Sequence, residues 1–196
     1  QNPDGTLGTA NILGVNAIHQ GIELDFRYKP NNRLTFTGMV SLGDWTWDNN
    51  VTDVQVFDDE QNLVRTIDLY IEDLKVGDAA QTTFALGANY EVFPGTKMRL
   101  NYNYAGDFYA DFDPNTRTTP DAPQSWKVPE YGLFDLGLTH NFKIGSLNGT
   151  IIGNVNNLFN TEYIADARNG ASATGTDALV WYGFGRTYTI GTKINF

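Results

Sequence analysis

The chain contains no cysteine. That excludes a disulfide framework and a thiolate-bound metal centre, and leaves the redox compartment open. There are only two histidines, His19 and His140. No apolar run approaches the roughly 18 residues that a membrane-spanning helix needs. Cations are scarce: 13 Lys and Arg stand against 23 Asp and Glu, a formal net charge of −10. Too few positive charges remain to neutralise phosphates, so a nucleic-acid partner is excluded. The opening "QNPDGTLGTANILG" lacks the basic and apolar regions of a signal peptide. The expectation is that a leader was removed or that the true N-terminus lies upstream. No Gly-x-Ser-x-Gly, His-Glu-x-x-His, phosphate loop or dinucleotide fingerprint occurs. No Ser aligns with either His as a nucleophile–base pair would require. The reading is therefore no enzyme, no catalytic residue, no cofactor and no metal site.

What the chain does have is glycine (20), aromatics (12 Phe, 10 Tyr, 4 Trp) and a recurrent two-residue alternation. Ile22, Leu24, Phe26 and Tyr28 alternate with Glu23, Asp25 and Arg27. The same period recurs over Leu34–Leu42, Phe84–Val92, Met98–Tyr104, Phe134–Phe142 and Leu147–Val155. The end of the chain, "YTIGTKINF", repeats it through Tyr188, Ile190, Thr192 and Ile194 to Phe196. Alternation of this kind marks strands with one apolar and one polar face. Seven strands are expected.

The connections alternate as well. "KPNNR" (29–33), "FPGTK" (93–97) and "KIGSLN" (143–148) are tight turns, whereas about 48–80, 112–129 and 159–179 are long and polar. Short turns at one end and long loops at the other are the habit of outer-membrane barrels, not of soluble sandwiches. The faces agree. A polar face with Glu23, Asp25, Arg27, Glu91, Arg99 and Asp135 suits a wet lumen, and an apolar face suits lipid. Aromatics gather at strand ends, as interfacial girdles do. Trp45, Trp47, Phe108, Tyr109, Trp181 and Tyr182 fall near the loop ends; Tyr28, Tyr90, Phe93, Phe142 and Phe196 fall near the turn ends.

Phe196 then lies at the periplasmic rim, where a fully paired closing strand leaves no edge in the bilayer. Seven strands with a periplasmic C-terminus leave the first strand starting outside, so residues 1–16 read as the end of another outer loop. The chain is expected to be the C-terminal part of a larger barrel. An eighth strand within "TLGTANILGVNAI" would instead make a complete small barrel, passive and porin-like, structural or adhesive. The acidic runs 58–60 and 110–116 read as solvated loop, and 54–72 as a hairpin around "DDEQN" standing above the membrane.

These residues resemble the TonB-dependent outer-membrane receptors, over essentially the whole chain. "HQGIELDFRYKPNNRLTFTGMVSL" looks like the family's Gly-x-Glu strand and hairpin. "GNVNNLFNTEY" is similar to its penultimate-strand pattern, carried here by Asn154, Asn157, Leu158, Phe159, Asn160 and Tyr163. "GFGRTYTIGTKINF" resembles its final strand.

The resemblance implies an all-β fold: a transmembrane antiparallel β-barrel of 22 strands plugged by a separate domain. Residues 1–196 would be about seven strands of its C-terminal portion, without the plug. It implies a Gram-negative outer-membrane location with a periplasmic C-terminus, and active import of a scarce nutrient with TonB-coupled energy. The substrate would be a ferric siderophore, cobalamin, haem, glycan or peptide; the last strand looks closer to the metal-chelate type. Implied partners are the lipid bilayer, the remaining barrel and plug segments, the TonB complex through the plug, and, for glycan or peptide importers, a surface lipoprotein. Tyr188, Ile190, Ile194 and Phe196 would carry the barrel-assembly signal. The candidates for facing substrate on the upper wall are Trp45, Trp47, Asp107, Tyr109 and Trp181.

Overall fold

The computed structural model describes residues 9–10 and 12–195. Its strands in chain order are β1 (Thr9–Ala10), β2 (Ala17–Asn31), β3 (Leu34–Trp47), β4 (Val51–Phe57), β5 (Leu63–Leu69), β6 (Ala80–Phe93) and β7 (Thr96–Tyr109). They continue as β8 (Lys127–Val128), β9 (Tyr131–Ile144), β10 (Leu147–Asn156), β11 (Ile164–Arg168), β12 (Leu179–Tyr182) and β13 (Thr187–Asn195). Seven of them form one antiparallel meander, in the order β13-β10-β9-β7-β6-β3-β2. These are the seven strands the alternation predicts. Among the described residues β2 and β13 do not pair with each other, so the sheet is an open wall.

The register keeps every apolar set on one face. Leu24 lies opposite Val40, Val40 opposite Phe84, Phe84 opposite Tyr104. Leu100 then lies opposite Leu136, Leu136 opposite Val155, and Val155 opposite Tyr188. A slip of one residue anywhere would turn a strand inside out. The three tight turns fall where Pro, Gly and Asn cluster; Gly95 and Gly145 adopt the left-handed backbone there, at φ 83° and 59°. On the apolar face large rings lie over small residues: a Cβ on Gly38 would meet the Phe26 ring, and one on Gly149 the Phe142 ring. Such pairs fill the gaps that glycine leaves and fix the register.

The apolar face of the wall is not buried. Leu24 is 64 % exposed, Leu86 50 % and Ile190 84 %. The buried core lies instead in the long loops, which form a roof at one end. Val54, Leu69, Ile71 and Leu74 make one cluster, under the β4–β5 hairpin, with Trp47 and Phe112 packed against it. Phe108, Ala110, Val128 and Ala167 make the second, where the β7–β9 loop meets the β11–β12 hairpin. Phe108, expected in the outer girdle, is therefore a core residue of the roof. The aromatic band on the outer face is built from other rings: Phe84 stacks on Tyr104 (4.7 Å), and Tyr102 lies tilted against Phe134 (4.5 Å), which Phe159 meets edge-on (5.3 Å).

Thr9 and Ala10 pair with Phe57 and Val56 of β4. The described part of the N-terminal segment thus joins the roof and adds no strand to the wall. The hairpin expected over 54–72 is β4–β5, one strand pair of that roof.

Candidate functional site

Opposite its apolar face the wall presents a polar one, and the five residues expected to face substrate do not all lie on it. Among the described residues no hydrogen bond or ring–ring contact joins any two of the five.

Trp45 shares the parity of Met39 and Ser41, so it stands on the polar face, with its ring 5.3 Å from that of His19. Its backbone is clamped by Gln81, which is only 2 % exposed. The Trp45 N–H donates to Gln81 Oε1 (2.9 Å), and Gln81 Nε2 donates back to the Trp45 carbonyl (3.0 Å) and to that of Val76 (3.2 Å). A buried amide that satisfies three backbone groups fixes where the roof leaves the wall. Nothing in "AQTTF" singles Gln81 out before the fold is known.

Trp47 is not free to meet a ligand. Its ring packs into the first roof cluster and edge-on to Phe112 at 5.9 Å. Asp107 has a left-handed backbone, φ 48°, which turns its carboxylate to Thr82, on the parity of Phe84. There it accepts from Thr82 Oγ1 (2.6 Å) and from Lys127 Nζ (2.6 Å), above the aromatic band. Tyr109 is half-buried opposite Lys127, and its carbonyl accepts from the Asp78 N–H (3.2 Å). Trp181 is 47 % exposed on β12, opposite Asp166. Of the three candidate tryptophans, Trp45 and Trp181 are the two that lie outside the roof clusters.

The second roof cluster carries three carboxyls. Asp111 forms a parallel bridge with Arg168 and exchanges backbone hydrogen bonds with Ala167 and Asn169. The Asp78 carboxyl is partly withdrawn from water and faces Asp111 and Asp166, which pushes it up to about 6. Burial likewise raises Asp111, against the pull of Arg168. No group of three or more metal-ligating side chains that could hold an ion occurs among the described residues.

The "GNVNNLFNTEY" motif forms a knot at the top of β10. Asn157, 4 % exposed, has φ 51°. Its N–H donates to Asp135 Oδ1 (2.9 Å), and its side chain closes on Thr161 and on the Phe184 carbonyl. Leu158 N–H donates to the Phe134 carbonyl, and Asn160 Oδ1 accepts from the Arg186 N–H (2.9 Å). Tyr163 packs on Tyr131 (4.4 Å), and a Cβ on Gly183 would strike its ring. Asn154, lower on the strand, is on the polar face beside Gly137. The motif is thus a joint between β9, β10 and the segment leading to β13, with Phe159 as its contribution to the aromatic band. Tyr188, Ile190 and Ile194 stand on the apolar face opposite Val155, Gly153 and Gly149. Phe196 lies outside the described residues.

A family model for the TonB-dependent receptor-like β-barrel matches residues 1–158. The chain belongs to the TonB-dependent receptor β-barrel family. Solved structures agree on the fold. The chain is similar to the siderophore receptor PiuA from Acinetobacter baumannii, with 15 % identity, a TM-score of 0.61, and coverage of 91 % of this chain and 22 % of that one. It is similar to the ferric yersiniabactin uptake receptor FyuA from Yersinia pestis, with 18 % identity, a TM-score of 0.60, and coverage of 92 % and 24 %. It is also similar to a chain of the FpvAI–pyocin S2 complex, with 15 % identity, a TM-score of 0.53, and coverage of 91 % and 20 %. The chain spans between a fifth and a quarter of the length of these structures. A comparison with curated protein sequences found no match.

In such a barrel the exposed apolar face of the seven strands meets lipid, and the polar face lines the lumen. The absence of a buried core in the wall is thereby explained: its apolar side chains are solvated by acyl chains rather than by one another.

Proposed function

We propose that this chain is a wall segment, with its share of the outer roof, of an outer-membrane importer that takes up a ferric chelate with TonB-coupled energy. The observation that supports this reading is the sorting of the seven-stranded wall. It has an apolar outside, a polar inside, tight turns at one end, and at the other a roof with hydrophobic cores of its own. A passive pore has no use for so much packed loop. The structures named as siderophore and ferric yersiniabactin receptors favour a metal chelate within the family's range of substrates. On this reading residues 1–196 are the C-terminal part of the barrel, the C-terminus is periplasmic, and the plug and TonB act from elsewhere in the complex. Trp45 on the inner wall and Trp181 on the roof are the rings placed to stack on a ligand.

The test is uptake of radiolabelled iron, supplied as ferric siderophores, by cells with and without the gene for the full-length receptor. An importer raises uptake and loses it when the proton-motive force is dissipated. Uptake indifferent to an uncoupler would replace this reading with that of a passive barrel.

A further inference from the structure

Among the described residues six buried side-chain atoms meet no hydrogen-bond partner. Five are N–H donors: Trp47 Nε1, Arg65 Nε, Arg117 Nε and Nη2, and Asn169 Nδ2. The sixth, Ser125 Oγ, is a hydroxyl that can donate as well. The roof is therefore short of acceptors, although the chain as a whole is acidic. Two of the five donors belong to one side chain, and that side chain is charged.

Arg117 follows the short 3₁₀ turn Pro114–Thr116 in the β7–β9 loop and is only 1 % exposed. Its backbone is tied on both sides. Its N–H donates to the Pro114 carbonyl (3.2 Å), and its carbonyl accepts from the Tyr70 N–H (2.8 Å). Nη1 donates to the Pro123 carbonyl, which closes the loop on the guanidinium. Neither ion pair of the described residues includes Arg117. Burial pulls its pKa below the ordinary arginine value, with no carboxylate acting against it. Arg168 is the contrast: it is exposed, yet it acts on both Asp78 and Asp111. A cation taken out of water needs a counter-charge far more than one left in it.

The geometry of the free donors narrows what that counter-charge is. Nε–H and Nη2–H project side by side from one edge of the planar guanidinium, the fork that matches two oxygens of a single carboxylate or phosphate. Arg117 lines a cavity of about 300 Å³ with Asn50, Tyr70, Glu72, Asp73 and Gln124. The amides are already committed: Asn50 Nδ2 donates to Glu72 Oε2 (3.0 Å), and Gln124 Nε2 to the Asp73 carbonyl (3.2 Å). Glu72 and Asp73 are exposed and set two negative charges on the same cavity. A dianion such as sulfate meets twice the repulsion from them that a monoanion does.

We propose that Arg117 is a binding site for a small carboxylate, held side-on by Nε and Nη2 between the β5–β6 segment and the β7–β9 loop. Both nitrogens are buried, so entry opens the 117–123 loop, whose residues 118–121 are exposed. The bound acid supplies the missing charge and ties the loop down. The site lies in the roof and stands apart from the importer reading.

The test is limited proteolysis of the detergent-solubilised full-length receptor in sodium acetate, sodium chloride or sodium sulfate, at equal ionic strength and neutral pH. Acetate at about four times its dissociation constant should slow cleavage within the β7–β9 loop roughly fivefold relative to chloride. Arg117→Met keeps the buried stem without the charge and should bring the acetate-to-chloride ratio to unity. Arg117→Lys keeps the charge without the fork and should lose most of the protection. Each receptor is compared with itself in two salts, so a roof weakened by the substitution still reports.

Equal cleavage of the parent in acetate and chloride would overturn the proposal. Acetate protection that survives in Arg117→Met would overturn it too, because the acid then binds elsewhere. Sulfate also stabilises proteins generally, by exclusion from their surface, and Arg117→Met measures that part. Sulfate protection equal to that of acetate in the parent and lost in Arg117→Met would overturn the carboxylate assignment.

Discussion

Asn157 and Thr161 hold each other by two reciprocal hydrogen bonds: the Thr161 N–H donates to Asn157 Oδ1 (2.8 Å), and Asn157 Nδ2 donates to the Thr161 carbonyl (2.8 Å). Together they close the knot that turns β10 toward the roof. Asn157→Ala removes both bonds, leaves the partly buried Thr161 backbone groups without these partners and keeps a left-handed backbone that alanine tolerates poorly. The expected cost is about 2–4 kcal/mol. It would be read as a lower thermal midpoint of the detergent-solubilised full-length receptor, with Asn157→Gly recovering only the backbone part.

The roof has its own hydrophobic core, and Leu69 is at its centre with no exposed surface. Leu69→Ala should destabilise the roof by about 2–5 kcal/mol. The wall shares few apolar contacts with that cluster, so the damage should stay local. Limited proteolysis in intact cells should then cut the β4–β5 hairpin faster, while the barrel keeps its resistance to unfolding in detergent on gels. Equal loss of both would show that roof and wall unfold as one unit.

The lipid-facing assignment predicts that parity decides the effect of a charge. Leu86 stands mid-strand on the apolar face and its neighbour Ala85 on the polar one. Leu86→Arg should cost about 2–4 kcal/mol, the penalty of a cation near the bilayer midplane. Asn101→Arg, on the polar face of β7, should assemble nearly as well as the parent. Heat-modifiable mobility of membrane-inserted receptor would separate the two, and equal assembly would refute the assignment.

Asp78 makes the roof sensitive to pH. Its carboxyl is pushed up from 3.8 to about 6 by partial burial and by Asp111 and Asp166. The native roof therefore holds a proton that the unfolded chain releases over that interval. By linkage this contribution is fully present below 3.8 and is lost as pH rises through about 6. Resistance of the roof to proteolysis should be greater at mildly acidic pH than at neutral pH, with a stable protease used at both. Asp78→Asn should flatten the dependence; an unchanged slope would place the proton elsewhere.

Much of the wall was legible before the fold was known. Ile22 to Tyr28, Phe84 to Val92 and Phe134 to Phe142 announce their strands because a strand alternates with period two, and each face here meets a uniform environment. The turn residues at 29–33, 93–97 and 143–148 fix the register, since the apolar sets then align without choice. The site was less legible. Trp45 and Trp47 share a parity and a spacing, yet one lines the polar face and the other fills a roof core. Asp107 was expected among the inward residues of β7, and a single left-handed backbone carries its carboxylate to Thr82 and Lys127.

Strand number, face, turn position and family therefore follow from the sequence by itself, because they depend on contacts between residues near in sequence and on a local period. The roof followed only from tertiary structure. Its cores join Val54 to Leu74 and Phe108 to Ala167, and the Gln81 and Asn157 clamps satisfy backbone groups brought close by loops with no period. The gathering of cations at the turn end of the wall is of the same kind. Arg27, Lys97, Lys143 and Lys193 are far apart along the chain, and only strand pairing sets their charges side by side.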